Sequence, residues 1–266
     1  MTWEEAVLWL RARADQKELV RACYYDDPLR SAAERYFLST EWSEIRRHLP
    51  KSSGSALDLG AGRGIASYAL AREGWRVVAL EPDGSGIVGA EAIRMLALET
   101  GLDIQVRQEW GERLPFSDGS FDLVFGRAVL HHARNLRHLC AEARRVLRLG
   151  GTFIAVREHV ISNRGDLQRF LDAHPLHRHY GGENAYLLSE YTEAIKESGI
   201  RLTKVINPCE SNINLYPDTV EELTARFAAK LRLASPQLVP SYVPALWGAI
   251  IQTPGRLFSF VGEAST

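Results

Sequence analysis

The sequence predicts an α/β fold, a mostly parallel sheet with crossover helices on both faces. Three observations predict it. From residue 56 to residue 157, short apolar runs alternate with segments of helical periodicity. The first of those runs passes directly into a glycine turn and a helix, "ALDLGAGRGIASYAL" (56–70). After a long polar insertion, further strand-like runs close the pattern.

The elements follow in order. Residues 3–22 read as a helix with Val7, Leu10, Ala14 and Leu19 on one face. A second helix covers 31–49 and ends before Pro50, so residues 1–50 form an N-terminal helical cover. "KSSG" (51–54) leads into strand one, Ala56 to Leu59, and the helix from Ile65 to Arg72 stops at Gly74. "WRVVALE" (75–81) is strand two, and a helix over 86–100 is closed by Gly101. "DIQVR" (103–107) is strand three; the turn "SDGS" (117–120) precedes strand four, "FDLVFG" (121–126). Leu136, Leu139, Ala143, Val146 and Leu147 mark the next helix, and "TFIAVR" (152–157) is strand five. Beyond an insertion over 160–188, a helix covers 189–199, and "IRLTKVI" (200–206) and "ESNINLY" (210–216) read as a closing hairpin. The core therefore spans 51–217, followed by a C-terminal helical and apolar extension, 218–266.

Composition narrows the function. The 266 residues are 45% hydrophobic and 24% charged, with a formal net charge of -1, which excludes the basic stripe of a nucleic-acid binder. Cys23, Cys140 and Cys209 are scattered without a C-x-x-C pair, which fits a reducing cytoplasm better than a disulfide framework or zinc ribbon. The amphipathic start, acidic near its beginning, is unlike a targeting peptide. The tail "YVPALWGAIIQTPGRLFSF" is too broken by proline for a transmembrane helix. Its aromatic residues are expected against the sheet or a partner subunit, as in a homo-oligomer, with contact to a membrane as the lesser alternative.

The glycine turn identifies the ligand class. Gly60, Gly62 and Gly64 follow a G-x-G-x-G spacing, and Ile65 stands where the dinucleotide fingerprint places its third glycine. Asp58 would set a carboxylate beside a pyrophosphate, which is unfavourable, so a nicotinamide-dependent oxidoreductase is the weaker reading. A zwitterionic nucleoside without phosphates, such as S-adenosylmethionine, tolerates that charge. Glu81, ending strand two, can accept hydrogen bonds from both ribose hydroxyls.

Four segments, "LDLGAGRG", "VVALEPD", "ERLPFSDGSFDLVFGRAVLHH" and "EARRVLRLGGTFIAV", resemble in order and spacing the class I S-adenosylmethionine-dependent methyltransferases. The resemblance is close over 52–160 and looser over 185–217. It implies a Rossmann-like, seven-stranded mixed sheet whose last two strands form a reversed hairpin. By that likeness Asp58, Gly60 and Gly62 line the methionine end with Gly64 in the same turn, Glu81 takes the ribose, and Pro82 and Asp83 border the adenine. Where the family carries an aspartate for the adenine amino group, this chain has Trp110, in "RQEWGERLPF". Trp110 would then cover the adenine or lie buried as a hydrophobe; Glu109 could substitute, or the Gly111 amide could recognise the ring. A blocked adenine site would instead make the protein a non-catalytic assembly partner.

Methyl transfer to oxygen needs a base beside the methyl group. His132, after strand four, is the first candidate and His159, after strand five, the second, with Glu158 to orient a histidine or bind a hydroxyl. Arg127 is a candidate for the methionine carboxylate and Arg157 for the acceptor. The insertion "DAHPLHRHYGGENAY" offers His177, Tyr180, Glu183 and Asn184 as acceptor-binding groups, and "ESNINLYP" offers Asn212. Its H-x-x-H-x-H spacing matches no standard zinc motif, so no metal is expected. The acceptor is expected to be a small hydroxylated molecule: a saccharide, a lipid-linked glycan or an aromatic natural product.

Overall fold

In the computed structural model, which describes residues 1–265, the strands are β1 (Ser55–Leu59), β2 (Arg76–Leu80), β3 (Ile104–Arg107), β4 (Phe121–Arg127), β5 (Leu147–Ile161), β6 (Tyr186–Leu187), β7 (Ile200–Ile206) and β8 (Arg256–Ala264). Seven lie side by side in the order β3-β2-β1-β4-β5-β8-β7, and the short β6 pairs with the far end of β5. All neighbours run parallel except β8, which is antiparallel to both β5 and β7. The chain order reverses at β1, flanked by β2 and β4, so a ligand cleft belongs at the carboxyl ends of these strands.

Alternation along the strands builds the two faces. Leu123 and Phe125 join Trp42, Tyr36 and Tyr24 on one side of the sheet, while Leu57, Val124 and Phe153 join Leu139, Ala143 and Tyr191 on the other. Burying a side chain such as Phe125 contributes about 1.5–3 kcal/mol. The N-terminal cover supplies much of the first side. Ser39 divides its expected second helix into Leu29–Phe37 and Thr40–Arg46 by accepting from the Trp42 amide, 3.0 Å away. The first is likewise broken, into Trp3–Arg11 and Lys17–Ala22 with a 3-10 turn between them.

The closing pair of strands differs from the expected hairpin. "ESNINLY" contains no strand: Ser211 caps a short buried helix, Asn212–Leu215. The strand that completes the sheet is β8, reached after the helices Val220–Lys230 and Val243–Ile250. A boundary at 217 therefore cuts through the sheet. Set between β5 and β7, β8 is buried on both sides, and "RLFSFVGEA" consequently lacks the alternation that marks a half-exposed strand. Phe258 and Phe260 of the apolar tail pack in the core as expected, whereas Leu246 and Ile250 are 58% and 62% exposed. No helix among the described residues is long and apolar enough to cross a membrane.

Candidate active site

The glycine turn leaves β1 in a conformation suited to glycine. Gly60, Gly62 and Gly64 have φ of 64°, 55° and 82°, the left-handed region that costs glycine nothing sterically. A Cβ on Gly60 would lie 2.3 Å from Val129 Cγ2, so the loops after β1 and β4 touch where only hydrogen fits. The Gly62 amide donates to Glu81 Oε2 at 2.8 Å, and the Asp83 amide donates to Oε1 at 2.9 Å. No cation pairs with Glu81 among the described residues; burial raises its pKa to about 7 against these two hydrogen bonds. Each oxygen holds a single amide and keeps an acceptor position, which is the acceptor pair a ribose diol needs.

Other expected cofactor contacts stand differently. Asp58 is buried and accepts from Ser67 Oγ at 2.5 Å, so it anchors the helix Ile65–Arg72 rather than facing a ligand. Its carboxyl is raised to about 7 by burial. Gly111 sits where a Cβ would be 2.8 Å from Leu139 Cδ1, so a larger residue there would displace that side chain. Trp110 beside it is 60% exposed with the Arg134 guanidinium 5.2 Å over its ring, so it is neither a buried hydrophobe nor a plug in the site. Pro82 is half-buried, its carbonyl accepting from Gln108 Nε2 at 3.4 Å.

The two arginines are committed to the interior. Arg127 makes a forked pair with the wholly buried Glu41, Nε to Oε1 at 2.7 Å and Nη2 to Oε2 at 3.1 Å, over the rings of Tyr24 and Tyr36. Burial opposes its charge, but Glu41 outweighs that and holds its pKa above the ordinary value. The Arg157 Nη1 donates to the Ile213 carbonyl at 2.8 Å and lies 4.0 Å from Glu41. Both side chains are thus directed at interior partners, Glu41 and the Ile213 carbonyl. Asn212 Oδ1 accepts from the Val220 amide at 2.7 Å where the next helix begins.

Strain gathers just after β4 and at a bulge within β5. Ala128 and Arg157 hold φ of 56° and 61°, a region that costs a residue with a Cβ on the order of 1 kcal/mol or more. At this bulge β5 slips its register with β8 between Ala155 and Glu158. The result turns Glu158 inward beneath the 3-10 turn Leu130–His132. Its carboxylate accepts from the amides of Val129, Leu130 and His131 at 3.0–3.1 Å and meets His131 Nδ1 at 2.8 Å. Wholly buried and fully occupied, Glu158 cannot reach a substrate hydroxyl; it orients His131.

His131 is the residue that sequence reasoning passed over. Burial disfavours its charged form, yet hydrogen bonds to Glu158 and Glu183 raise its pKa to about 9. Its Nε2 lies 3.5 Å from Glu183 Oε2. His132 Nδ1 meets the Gly182 carbonyl at 2.9 Å and its Nε2 is 4.0 Å from Glu183, with the side chain 39% exposed. His159 Nδ1 meets the Gly255 carbonyl at 2.8 Å, and burial depresses its pKa to about 3. The rings of His131 and His159 stand 4.7 Å apart.

The insertion brings Glu183 into this group but not all of its histidines. Tyr180 Oη donates to Glu183 Oε1 at 2.5 Å, and His174 Nδ1 lies 3.9 Å from the same oxygen. His177 and Asn184 are half-buried in the same segment, with no polar contact to the cluster. Trp3, which the sequence offered no reason to select, joins the two halves of the site. Its ring stacks on Tyr180 at 6.5 Å, and its Cη2 would be 3.7 Å from a Cβ on Gly62.

Residues 57–155 match the family model described as a methyltransferase domain. The sheet around that segment has the seven neighbouring strands and the reversed strand that the sequence resemblance implies. Over 103 residues the chain is 35% identical to a dimethylglycine N-methyltransferase of Parasynechococcus marenigrum, covering 38% of this chain and 36% of that protein. Over 110 residues it is 33% identical to a ubiquinone biosynthesis O-methyltransferase of Methylobacterium nodulans, covering 41% and 43%. The chain thus spans less than half the length of either relative. The fold is also that of a geranyl diphosphate C-methyltransferase of Streptomyces coelicolor, with a TM-score of 0.62 at 16% identity over 90% of this chain and 85% of that one.

Proposed function

We propose that the chain transfers the methyl group of S-adenosylmethionine to a hydroxyl of a small polyhydroxylated acceptor, a saccharide or a similar natural product. One observation carries the reading: the glycine turn and a histidine cluster share a wall. Val129 occupies the space beside Gly60, and His131 and His132 follow it after Leu130.

Adenosylmethionine supplies a methyl group on a sulfonium already activated for in-line displacement. Glu81 accepts from the ribose hydroxyls, and the glycine turn admits the close approach of the nucleoside. His132, whose Nδ1 is engaged by the Gly182 carbonyl, keeps its Nε2 lone pair for the acceptor. It takes the hydroxyl proton as the oxygen–carbon bond forms and the carbon–sulfur bond breaks, with the electron pair leaving on sulfur. Glu158 and His131 hold the turn on which His132 stands. The insertion 160–188 forms the acceptor side through Tyr180, Glu183 and Asn184. The three unpaired cysteines fit action in a reducing cytoplasm.

An amine acceptor with a free lone pair needs no base, so the histidine cluster favours oxygen over the nitrogen chemistry named for one relative. The test is a panel of hydroxylated and amine acceptors incubated with labelled adenosylmethionine. Label on a hydroxylated acceptor, lost in His132→Ala while the cofactor still binds, supports the reading. Label on amines alone, unaffected by His132→Ala, overturns it.

A further inference from the structure

We infer that His131, His159 and Glu183 form a binding site for a divalent transition-metal ion that holds oxygen donors of the acceptor. Ligand atoms of the three lie within 4.8 Å of one another. They come from three separate parts of the chain: the loop after β4, the end of β5 and the insertion. A two-histidine, one-carboxylate set leaves coordination positions open, the arrangement of a working site and not a purely structural one.

The surrounding contacts fix the orientation of each ligand. A metal-binding imidazole presents one bare nitrogen and donates the other N–H to a carboxylate or carbonyl. His131 Nδ1 is held by Glu158 at 2.8 Å, and His159 Nδ1 by the Gly255 carbonyl at 2.8 Å. Both Nε2 atoms therefore point into the group; that of His159 is bare, and that of His131 faces Glu183 Oε2 at 3.5 Å, where an ion would replace the proton between them. The other Glu183 oxygen is oriented by Tyr180 Oη at 2.5 Å. Nearby, His174 Nδ1 is buried without a hydrogen-bond partner, 3.9 Å from Glu183 Oε1, as a spare nitrogen beside the group.

The spacing is that of a site ready to close. An ion about 2.1 Å from each ligand in tetrahedral geometry separates ligands by about 3.4 Å, so the widest separation must shrink by about 1.4 Å. Rotation of Glu183, carried on a loop, can supply that. Imidazole and carboxylate together suit Zn²⁺, Mn²⁺ or Fe²⁺ and not Mg²⁺ or Ca²⁺, which prefer all-oxygen sets. Its role toward the acceptor rests on the methyl-transfer reading. A bound ion would take two neighbouring oxygens, as of a vicinal diol, and place one beside His132, whose ring is 4.2 Å from that of His131.

Chelator-treated full-length chain, titrated calorimetrically with Zn²⁺ and with Mn²⁺, tests the site without reference to activity. One saturable site is expected, weakened at least tenfold in Glu183→Gln and in His159→Gln and unchanged in His179→Gln, whose ring packs on Trp9 instead. Circular dichroism and adenosylhomocysteine affinity, unchanged in Glu183→Gln, would show that the fold survives. Visible absorption of the Co²⁺-loaded chain should report nitrogen and oxygen ligation, altered in His159→Gln. No saturable site, or one equally strong in both variants, overturns the inference and leaves an ionic Glu158–His131–Glu183 network. Adenosylhomocysteine binding without metal binding defeats this inference alone; metal binding without nucleoside binding defeats the methyl-transfer reading.

Discussion

Glu158 and His131 form the buried hinge of the site: the carboxylate receives His131 Nδ1 at 2.8 Å while the same carboxylate holds three consecutive amides of the turn that carries His131 and His132. The bulge at Arg157 makes this possible by turning Glu158 out of strand alternation and under the neighbouring loop.

Glu158→Gln keeps the shape but gives up the charge and one acceptor, leaving amides imperfectly paired. The expected cost is about 1–3 kcal/mol of stability. Chemical denaturation measures that loss. Turnover should fall with it, while the Kd for adenosylmethionine stays near the wild-type value; a shift confined to cofactor affinity would refute the positioning role.

Removing His132 should act on chemistry alone. A positioned base contributes about 10²–10⁴ in rate, so His132→Ala should lower kcat by that order with adenosylhomocysteine affinity retained. The comparison to make is kcat and nucleoside Kd in the same preparation, and an unchanged kcat would move the base elsewhere in the cluster.

Cofactor affinity should depend on pH through Glu81. The carboxylate accepts from the ribose hydroxyls only when ionised, and burial has raised its pKa to about 7. Affinity for adenosylhomocysteine should therefore rise as pH increases through about 7, with uptake of the nucleoside releasing a proton. Calorimetry in buffers of different ionisation enthalpy counts that proton. The linkage to stability has the opposite sign. Between the unfolded value of about 4.3 and the folded value of about 7, the folded chain keeps a proton the unfolded chain has lost. This group's contribution to the stability of the free protein thus declines as pH rises through that window.

Arg127 should prove structural. Replacing it with methionine leaves Glu41 buried without its partner, which costs about 3–5 kcal/mol. Arg127→Met is accordingly expected to lower Tm markedly while the folded fraction binds adenosylhomocysteine with wild-type affinity. A large loss of affinity at unchanged Tm would restore Arg127 to the cofactor pocket.

The legible part of this protein is the part governed by local pattern. Strand–turn–helix periodicity located β1 to β5 and β7, and Gly60, Gly62, Gly64 and Glu81 fell where the turn chemistry demanded. β8 escaped because a strand buried on both sides does not alternate, and it is separated from β7 by helices. "ESNINLY" misled because Asn212 and Asn214 fit a strand pattern, whereas their side chains cap and tie a turn: Asn214 Nδ2 donates to the Ile206 and Asn207 carbonyls. Glu41 could not be paired with Arg127, nor Glu158 with the turn at His131, since both contacts depend on tertiary placement across many residues. For the same reason His132 stood out in the sequence while the convergence of His131, His159 and Glu183 did not.

On the proposed reading, the Gly60–Gly64 turn and Glu81 hold the nucleoside of adenosylmethionine. Calorimetric titration of the wild-type chain and Glu81→Ala with adenosylhomocysteine tests it most directly. One saturable site is expected, weakened in the variant by roughly 1.5–3 kcal/mol for each ribose hydrogen bond lost. Equal affinity in the two proteins, or no binding to the wild type, would contradict it.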